Sequence, residues 1–299
     1  MTILRTTDSC AANQRLKLGE MLRRGALRLR PVSDSPRLDC ELLLAHALGV
    51  DRAALYAQSE EALSSRCLQA FDGMLGERIR GRPVAQILGY KEFYSLHFEI
   101  TREVLSPRPE TELLVEALSE AMGEKGRHPH LLDLGTGSGA VAISLARLLP
   151  QGRITATDIS AAALDVATGN AARLAPKRIH FLSGSWYEPI DEQWRFDAIG
   201  CNPPYVESDL CGHPPLKFEP NEALDGGPDG LRQLRAVVAG APAHLKPGGI
   251  LAVEHGARQG KAVREMMRQA GLGAPVTHRD LAGHERVTEA RSGSPRSRR

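Results

Sequence analysis

The sequence lacks the residue patterns that mark several large classes of protein. Its five cysteines are scattered and none forms a CxxC pair, which excludes a disulfide framework and a zinc site built from paired cysteines. Its ten histidines include no HExxH motif, so no metal site is expected. No apolar run is long enough to span a membrane, and the amino terminus carries no apolar signal-peptide core. We therefore expect a cytoplasmic protein without a membrane partner.

The chain also lacks a strong excess of charge of either sign, because its net charge is only +2 over 299 residues. A protein held to a polyanion mainly by charge usually carries a larger basic excess, so no direct nucleic-acid partner is expected. Hydrophobic residues make up 42% of the chain and charged residues 25%, which is typical of a globular protein. No exposed coiled-coil seam is visible, which favours a monomer.

The chain divides into segments of different texture. Residues 1–85 contain several short amphipathic patterns, such as LKLGEMLRRGAL and PRLDCELLLAHALGV, and predict a small helical bundle. The run VAQILGYKEFYSLHFEI alternates apolar and aromatic residues, which predicts a β-hairpin linker over residues 86–105 with Gly89 at a turn. Residues 106–290 alternate apolar strands with helices, which predicts an α/β domain with a mostly parallel sheet. The polar, basic residues 291–299 predict a disordered tail.

A glycine-rich turn joins a predicted strand to a predicted helix in LLDLGTGSGAVAISLA. Glycines in such a turn permit backbone conformations and a close ligand approach that a Cβ atom would block. The turn stands at the carboxyl end of the strand and the amino end of the helix, where open α/β sheets bind ligands. The predicted cofactor-binding residues of this loop are Gly135, Thr136, Gly137, Ser138 and Gly139.

An acidic residue follows at the tip of the next strand, RITATD, where Asp158 lies 19 residues after Gly139. A carboxylate there can accept both hydroxyls of an adenosine ribose, which suits a nicotinamide dinucleotide and S-adenosylmethionine equally well. A structural alternative makes Asp158 a charge at a helix amino terminus, with Ser160 as the N-cap. Asp133, just before the glycine loop, favours S-adenosylmethionine, because a carboxylate attracts its ammonium group and repels a diphosphate.

The segment CNPPY follows the predicted strand FDAIG and ends on the same rim of the sheet. Pro203 and Pro204 stiffen the loop and remove backbone donors, which leaves the Asn202 side-chain oxygen and the Pro203 carbonyl as acceptors. Two acceptors beside the aromatic ring of Tyr205 suit a planar –NH₂ group. They would aim its nitrogen at a sulfonium methyl group, so Asn202, Pro203 and Tyr205 are the predicted catalytic residues. The simpler alternative is a rigid structural turn.

Taken together, DLGTGSG, the Asp158 acid, NPPY, the upstream SPRPETE and the downstream FEPNEAL and DGGPDGL resemble the release factor glutamine methyltransferases, the PrmC/HemK family. The likeness covers roughly residues 16–290 and includes PRLDCELLLAHALG and KPGGILAVEHGARQG. It implies a seven-stranded, Rossmann-like class I methyltransferase sheet whose last strand is antiparallel. It also implies a small N-terminal helical bundle for docking the substrate protein, and a β-hairpin linker.

The resemblance implies S-adenosylmethionine as the methyl donor and S-adenosylhomocysteine as its product. The implied substrate is the glutamine side chain in the Gly-Gly-Gln motif of class 1 peptide chain release factors. Trp186 is expected near the adenine, although a half-buried core aromatic explains that residue equally well. Asn202 is expected to contact the cofactor as well as the substrate. The residues expected to hold the glutamine amide are Asn202, Pro203, Pro204 and Tyr205.

The SPRPETE segment is expected to line the entrance for cofactor or substrate through Arg108, Glu110 and Thr111. Thr111 and the acid that follows it also suit the first turn of a helix. Glu219 in FEP either orders the loop near NPPY or is a solvated charge, and it is not assigned as a base. Ser106 departs from the family, which commonly has an apolar residue there.

Two alternative functions stay open at the level of sequence. A glutamine methyltransferase of a ribosomal protein would share NPPY and differ mainly in the N-terminal domain. A nucleic-acid adenine amino methyltransferase would need a basic, aromatic-lined face or a target-recognition domain for a flipped base. A non-catalytic adaptor is disfavoured, because a binder has no need for paired acceptors aimed at a methyl group.

Overall fold

The computed structural model describes residues 18–57, 64–123, 128–175, 178–213 and 216–293. The chain forms two compact units, residues 1–88 and residues 89–299, with a boundary three residues beyond the predicted one at 85. Within the described residues, no helix combines the length and the apolar character that crossing a bilayer requires.

The first unit is helical and is built around its own apolar core. Leu22, Leu44, Phe71 and Leu75 are buried together at its centre. The second helix ends at Gly49, whose positive φ of 67° is the left-handed conformation that stops a helix. The predicted helical residues before residue 18 lie outside the described residues. The helices are α1 (Leu18–Leu29), α2 (Pro36–Leu48), α3 (Ala54–Ala57), α4 (Ser65–Ile79) and α5 (Val84–Leu88).

The start of the predicted hairpin is helical rather than extended, which corrects the sequence-based assignment. Val84–Leu88 form α5, in which the backbone N–H of Ile87 donates to the carbonyl oxygen of Pro83 at 3.1 Å. Proline favours the start of a helix because its fixed φ is already helical and its missing N–H is not needed there. A short apolar run does not by itself separate one helical turn from a strand, which explains the error.

The hairpin itself is present but turns at a different place from the predicted one. It consists of β1 (Tyr90–Phe93) and β2 (Leu96–Glu99), paired antiparallel. The two linking residues, Tyr94 and Ser95, have positive φ values of 51° and 58°, as in a two-residue type I′ turn. Gly89 also has a positive φ but lies before β1.

The rest of the second unit is an α/β domain with a seven-stranded sheet, which confirms the predicted fold class. The strands are β3 (His130–Leu134), β4 (Arg153–Asp158), β5 (Ile179–Ser183), β6 (Phe196–Cys201), β7 (Leu245–Glu254), β8 (Leu272–Arg279) and β9 (Glu285–Ser292). Their order in the sheet is β5-β4-β3-β6-β7-β9-β8, and β9 pairs antiparallel with both neighbours while the other pairs are parallel. The helices are α6 (Glu112–Gly123), α7 (Ala140–Leu148), α8 (Ala161–Leu174), α9 (Arg232–His244) and α10 (Gly260–Gln269).

Strand β9 extends into the segment predicted as a tail. Arg291 pairs with Ile250 of β7 and with Gly273 of β8, so Arg291 and Ser292 belong to the sheet. The tail prediction was wrong at these two positions, because the polar composition of the segment does not show that its backbone pairs with β7 and β8. Residues 294–299 lie outside the described residues.

The sheet has a topological switch point between β3 and β6. The chain builds outward from β3 through β4 to β5, and then returns to place β6 on the other side of β3. Leu132, Ile199 and Leu251 are buried in the core that covers these central strands. Asp133 lies opposite Gly200, so the loops that follow β3 and β6 begin side by side. Open α/β sheets bind ligands at such a point, outside the carboxyl ends of the strands.

Candidate active site

A cavity of about 700 Å³ opens at the carboxyl ends of β3, β4 and β6, a volume typical of small-molecule sites. We call it the rim cavity. Two loops outside the sheet also contribute to its wall, residues 103–111 before α6 and residues 220–225 after NPPY. Of the predicted site residues, those that line it are Arg108, Thr111, Asp133, Gly135, Thr136, Gly137, Ser138, Asp158, Trp186, Asn202 and Pro204.

The glycine loop at residues 135–139 takes backbone conformations that other residues rarely adopt. Gly135 has a φ of 68°, and a Cβ atom there would lie 3.3 Å from the Trp186 ring. Gly139 has a φ of 82°, and its Cβ atom would lie 2.9 Å from the Ile143 side chain and 3.3 Å from that of Ala167. The first glycine therefore admits the indole, and the last lets α7 pack closely on α8.

Asn170 fixes this loop from behind, although no sequence motif marked the residue. It is fully buried on α8, and its Nδ2 atom donates to the carbonyl oxygens of Ser138 at 2.9 Å and Glu99 at 3.1 Å. Its Oδ1 atom accepts from the backbone N–H of Glu99 at 2.8 Å. The only sequence signal was an amide residue within an otherwise apolar helix face. One side chain thus joins the glycine loop to strand β2.

Asp133 is buried at the end of β3, with only 3% of its surface exposed. Its Oδ2 atom accepts from the Thr136 hydroxyl at 2.7 Å and from the backbone N–H of Ala142 at 3.2 Å. Burial raises the pKa of this carboxyl to about 6, against the lowering effect of the two hydrogen bonds. A nearby positive charge favours the ionised form of a buried carboxyl, so Asp133 is well suited to pair with a cationic ligand group.

Asp158 makes structural hydrogen bonds at the start of α8 and also lies on the wall of the rim cavity. Its Oδ2 atom accepts from the backbone N–H of Gly137 at 2.8 Å, and its Oδ1 atom accepts from that of Ser160 at 2.9 Å. Ser160 is the N-cap of α8, because its hydroxyl accepts from the backbone N–H of Ala163 at 3.2 Å. Asp158 also lines the rim cavity, and its burial raises the pKa of the carboxyl. It therefore ties the glycine loop to α8 and also faces the rim cavity.

Trp186 lies both on the cavity wall and against the core of the sheet. It lines the rim cavity beside Gly135, and it also packs on the core of the sheet as a partly buried aromatic. Its backbone is held in a left-handed conformation with a φ of 45°. The Thr157 hydroxyl donates to its carbonyl oxygen at 3.2 Å and so helps to fix this conformation.

The NPPY segment divides between the rim cavity and the protein interior. Asn202 and Pro204 line the cavity, whereas Pro203 is buried and Tyr205 turns toward β7. The Asn202 Nδ2 atom donates to the Thr111 hydroxyl at 3.1 Å. Because the two ends of an amide diverge, the Asn202 oxygen points away from that hydroxyl and can accept a hydrogen bond from a ligand.

Tyr205 is held at both of its ends. Its hydroxyl donates to the Oε1 atom of Glu254 at 3.1 Å, and its carbonyl oxygen accepts from the Gln259 side chain at 3.1 Å. The same Gln259 nitrogen donates to the carbonyl oxygen of Gly230 at 3.2 Å. Sequence reasoning assigned no role to Glu254 or Gln259. An acid at a strand end in AVEHGARQG was the one available signal.

The two loops that flank NPPY are fastened to it and to each other. Val206 donates its backbone N–H to Leu224 at 2.9 Å and accepts from Gly226 at 2.8 Å, which fixes the FEPNEAL and DGG stretches beside NPPY. Arg108 forms an ion pair with Glu219, which therefore orders a loop, one of its two predicted roles. Glu110 does not line the rim cavity, unlike Arg108 and Thr111.

The side chains around the rim cavity match the chemical groups of S-adenosylmethionine. Asp133 offers a carboxylate for an ammonium group, Asp158 offers acceptors for ribose hydroxyls, and the Trp186 ring on the cavity wall offers a flat surface for a base. Among the described residues, no cluster of three or more His, Cys, Asp or Glu side chains is placed to bind a metal ion.

This sheet order and this set of groups at its switch point define a class I, S-adenosylmethionine-dependent methyltransferase. A solved methyltransferase from Pyrococcus furiosus shares the fold, with a TM-score of 0.50 and 16% sequence identity over 74% of this chain and 99% of that chain. Two family descriptions match the chain: the PrmC N-terminal domain over residues 20–89 and the Methyltransferase small domain over residues 109–211.

Curated relatives narrow the assignment. The chain is 45% identical over 256 residues to the release factor glutamine methyltransferase of Bordetella pertussis, covering 85% of this chain and 94% of the relative. It is 44% identical to the protein of the same name from Xylella fastidiosa, covering 85% and 93%. The chain therefore belongs to the release factor glutamine methyltransferase family.

Proposed function

We propose that the protein methylates the side-chain amide nitrogen, N5, of the glutamine in the Gly-Gly-Gln motif of class 1 peptide chain release factors, and so modulates translation termination. One observation carries this proposal. Asn202 stands on the wall of the rim cavity with its nitrogen engaged by Thr111, which leaves its oxygen as an acceptor for an amide. Bound S-adenosylmethionine supplies an electrophilic methyl group on a sulfonium centre.

The rim cavity would hold the cofactor through groups of matching chemistry. We assign the Asp133 carboxylate to the ammonium group, the Asp158 carboxylate to the ribose hydroxyls and Trp186 to the adenine. The glycine loop, residues 135–139, would let the cofactor approach the backbone closely. Asn202 would lie where cofactor and substrate meet.

The remaining task of the protein is to orient a weak nucleophile. The lone pair of an amide nitrogen is delocalised into its carbonyl group, so the nitrogen reacts slowly in water. The Asn202 oxygen and the Pro203 carbonyl would each accept one N–H of the glutamine amide and aim the nitrogen for in-line transfer. The extra proton leaves the nitrogen after the transfer, so no strong base is needed beforehand. Tyr205, held by Glu254 and Gln259, would keep the NPPY loop in place.

The helical unit would dock the release factor, while Arg108, Glu110 and Thr111 would line or flank the entrance for its glutamine. We place the reaction in the cytoplasm, where translation is terminated. The thiols of Cys40, Cys67, Cys201 and Cys211 are free, which is compatible with a reducing compartment. We expect the full chain to act as a monomer, which light scattering on the purified protein will test.

The test uses the full chain with radiolabelled S-adenosylmethionine and three acceptors: a release factor, its Gln→Ala variant at Gly-Gly-Gln, and duplex DNA. We expect label in the wild-type release factor alone. Label in DNA, or none in the release factor, would refute the proposal. Asn202→Ala is expected to lower the rate by about 100-fold or more, since it removes one aligned hydrogen-bonding group at the reacting nitrogen.

A further inference from the structure

A buried acid lies directly behind the NPPY loop. Glu254, the last residue of β7, has only 1% of its surface exposed. Its Oε1 atom accepts from the Tyr205 hydroxyl at 3.1 Å, while its Oε2 atom is buried without a hydrogen bond of standard geometry. A buried carboxylate oxygen without a donor is costly, so the group beside it matters.

The second hydroxyl that acts on Glu254 belongs to Thr111. This hydroxyl lowers the pKa of the Glu254 carboxyl by hydrogen bonding, so the two groups lie close together, although no hydrogen bond to Oε2 meets standard geometry. Thr111 is itself buried, and its oxygen accepts from the Asn202 Nδ2 atom at 3.1 Å. A hydroxyl oxygen that accepts a hydrogen bond still has its own hydrogen to donate. Asn202, Thr111 and Glu254 can therefore form one continuous chain of hydrogen bonds.

We propose that Glu254 is a positioning residue, whose ionised carboxylate sets the direction of this chain and thereby holds the Asn202 oxygen toward the substrate amide. The inference rests on the proposed function, because it concerns the same acceptor. An ionised carboxylate only accepts hydrogen bonds, so every hydrogen must point toward it. The Thr111 hydroxyl then donates to Glu254, the Asn202 nitrogen donates to Thr111, and the Asn202 oxygen is left facing the rim cavity.

Protonation of Glu254 would remove this direction. A neutral carboxyl can donate to Thr111, which can then donate to the Asn202 oxygen. The Asn202 amide would turn over and present its –NH₂ group to the –NH₂ group of the glutamine. Two donors do not form a hydrogen bond, so the substrate amide would lose one of the two acceptors that orient it.

The groups around Glu254 place this change near neutral pH. Burial raises its pKa and the Glu110 charge adds to the rise, whereas the hydroxyls of Thr111 and Tyr205 and the Arg286 charge on β9 lower it; the net result is a pKa of about 7. Burial also raises the pKa of Tyr205, and of Cys201 on β6, so both of these neighbours stay neutral over the range of interest. The active, ionised form of Glu254 is therefore present above pH 7 and is lost as the pH falls through about 7.

The first test measures kcat and kcat/KM for the release factor between pH 6 and 9, with S-adenosylmethionine saturating at every pH so that the cofactor affinity set by Asp133 does not contribute. Wild type is expected to lose activity on the acid side with an apparent pKa near 7. Glu254→Gln keeps the size of the side chain but cannot ionise, so its rate should be independent of pH and roughly 10- to 100-fold lower at pH 8. Its dissociation constant for S-adenosylmethionine should stay within about twofold of wild type, because Glu254 does not line the rim cavity.

Two matched variants separate positioning from general damage. Thr111→Val removes the hydroxyl, so its rate should be low and independent of pH, like that of Glu254→Gln. Thr111→Ser keeps the hydroxyl, so it should show the same loss of activity on the acid side as wild type. Asp197→Asn also removes a carboxylate from the second unit. Asp197 accepts from Lys246 at 2.7 Å and from the backbone N–H of His130. These contacts lie at the amino ends of β3 and β6, away from the rim cavity, so this variant should keep the wild-type pH profile.

The second test reads the Asn202 amide directly, without activity. In a ¹⁵N spectrum of the full chain, the side-chain –NH₂ signals of Asn202, assigned by their loss in Asn202→Ala, should shift with a midpoint near pH 7. They should not shift in Glu254→Gln. An unchanged Asn202 signal in wild type, or an acid limb that persists in Glu254→Gln, would overturn the inference. A signal that titrates in a protein that methylates no release factor would support the inference and overturn the proposed substrate.

Discussion

The Arg108 guanidinium group forms an ion pair with the Glu219 carboxylate across 111 residues of sequence. Glu219 is buried, with 1% of its side chain exposed, whereas 40% of the Arg108 side chain is exposed. The pair joins the two loops that form the outer wall of the rim cavity, at residues 103–111 and 220–225. Burial raises the pKa of the Glu219 carboxyl, and the charge of Arg108 opposes that rise. The buried carboxylate is therefore stabilised by Arg108, and the wall depends on the presence of both partners.

Arg108→Met should therefore destabilise the fold by roughly 1–3 kcal/mol at pH 8, since it leaves a buried carboxylate without its partner. The loss should shrink as the pH falls, because a proton can then neutralise Glu219. Denaturant unfolding at pH 8 and pH 5.5 measures both effects. Adding Glu219→Gln to Arg108→Met should recover most of the stability at pH 8. A double variant no more stable than Arg108→Met would show that the buried charge is not the cause.

Affinity for S-adenosylmethionine should depend on pH through Asp133. The free carboxyl has a pKa of about 6, and a bound ammonium group favours its ionised form. Binding should therefore release a proton near pH 6, and the dissociation constant should be about tenfold higher at pH 5 than at pH 7. Calorimetry in two buffers of different ionisation enthalpy measures both quantities. Asp133→Asn should bind more weakly and lose this dependence, and a wild-type affinity that is flat from pH 5 to 7 would contradict the assignment.

Replacing either of two glycines near α8 by alanine should change the stability of the protein, and the two changes should have opposite signs. Gly139→Ala places a Cβ atom 2.9 Å from Ile143 in a left-handed conformation, and should destabilise the protein by about 1–3 kcal/mol. Gly169→Ala lies within α8 with open space around its Cβ position, and should stabilise it by about 0.5–1 kcal/mol. Thermal unfolding of the two variants beside wild type checks the signs. Equal shifts in both variants would rule out close packing of α7 on α8 as the reason for Gly139.

Gln259 should control the NPPY loop from the far side of Tyr205. Gln259→Leu removes the donor to the Tyr205 and Gly230 carbonyl oxygens, and should lower kcat for methylation by roughly tenfold through misplacement of Asn202. Affinity for S-adenosylmethionine should change little, since Gln259 does not line the rim cavity. Gln269→Ala, at the other end of helix α10 from Gln259, removes an exposed hydrogen bond to Glu265 and serves as the control. A wild-type kcat in Gln259→Leu would refute this role.

The parts of the site that sequence reasoning found share one property. The glycine loop and NPPY directly follow a strand and Asp158 ends one, and the alternation of strands and helices places these strand ends on one rim. Local pattern is sufficient for such segments. The same logic located Asp133, although not that burial would raise its pKa to about 6.

The missed residues act across long distances in sequence. Asn170 forms a hydrogen bond with Glu99, which is 71 residues away in sequence. The hydrogen bonds of Tyr205 with Glu254 and with Gln259 span 49 and 54 residues. A single sequence does not show which buried polar side chain meets which loop, because that depends on how the strands are ordered in the sheet. The hairpin error has a local cause instead, since Val84–Leu88 fit one helical turn and one strand equally well.

The antiparallel strand β9 affects how the sheet closes as the protein is synthesised. Among the described strands, β8 pairs with β9 and no other, while β9 also covers the outer edge of β7. A growing chain that has reached residue 284 therefore carries β7 with a bare edge and β8 without a partner, and bare edges pair readily with other chains. Residues 285–292 close both gaps at once. A premature stop only a few codons upstream of this strand should thus produce an aggregating polypeptide, even though every residue assigned to the cofactor and to the glutamine amide has already been translated.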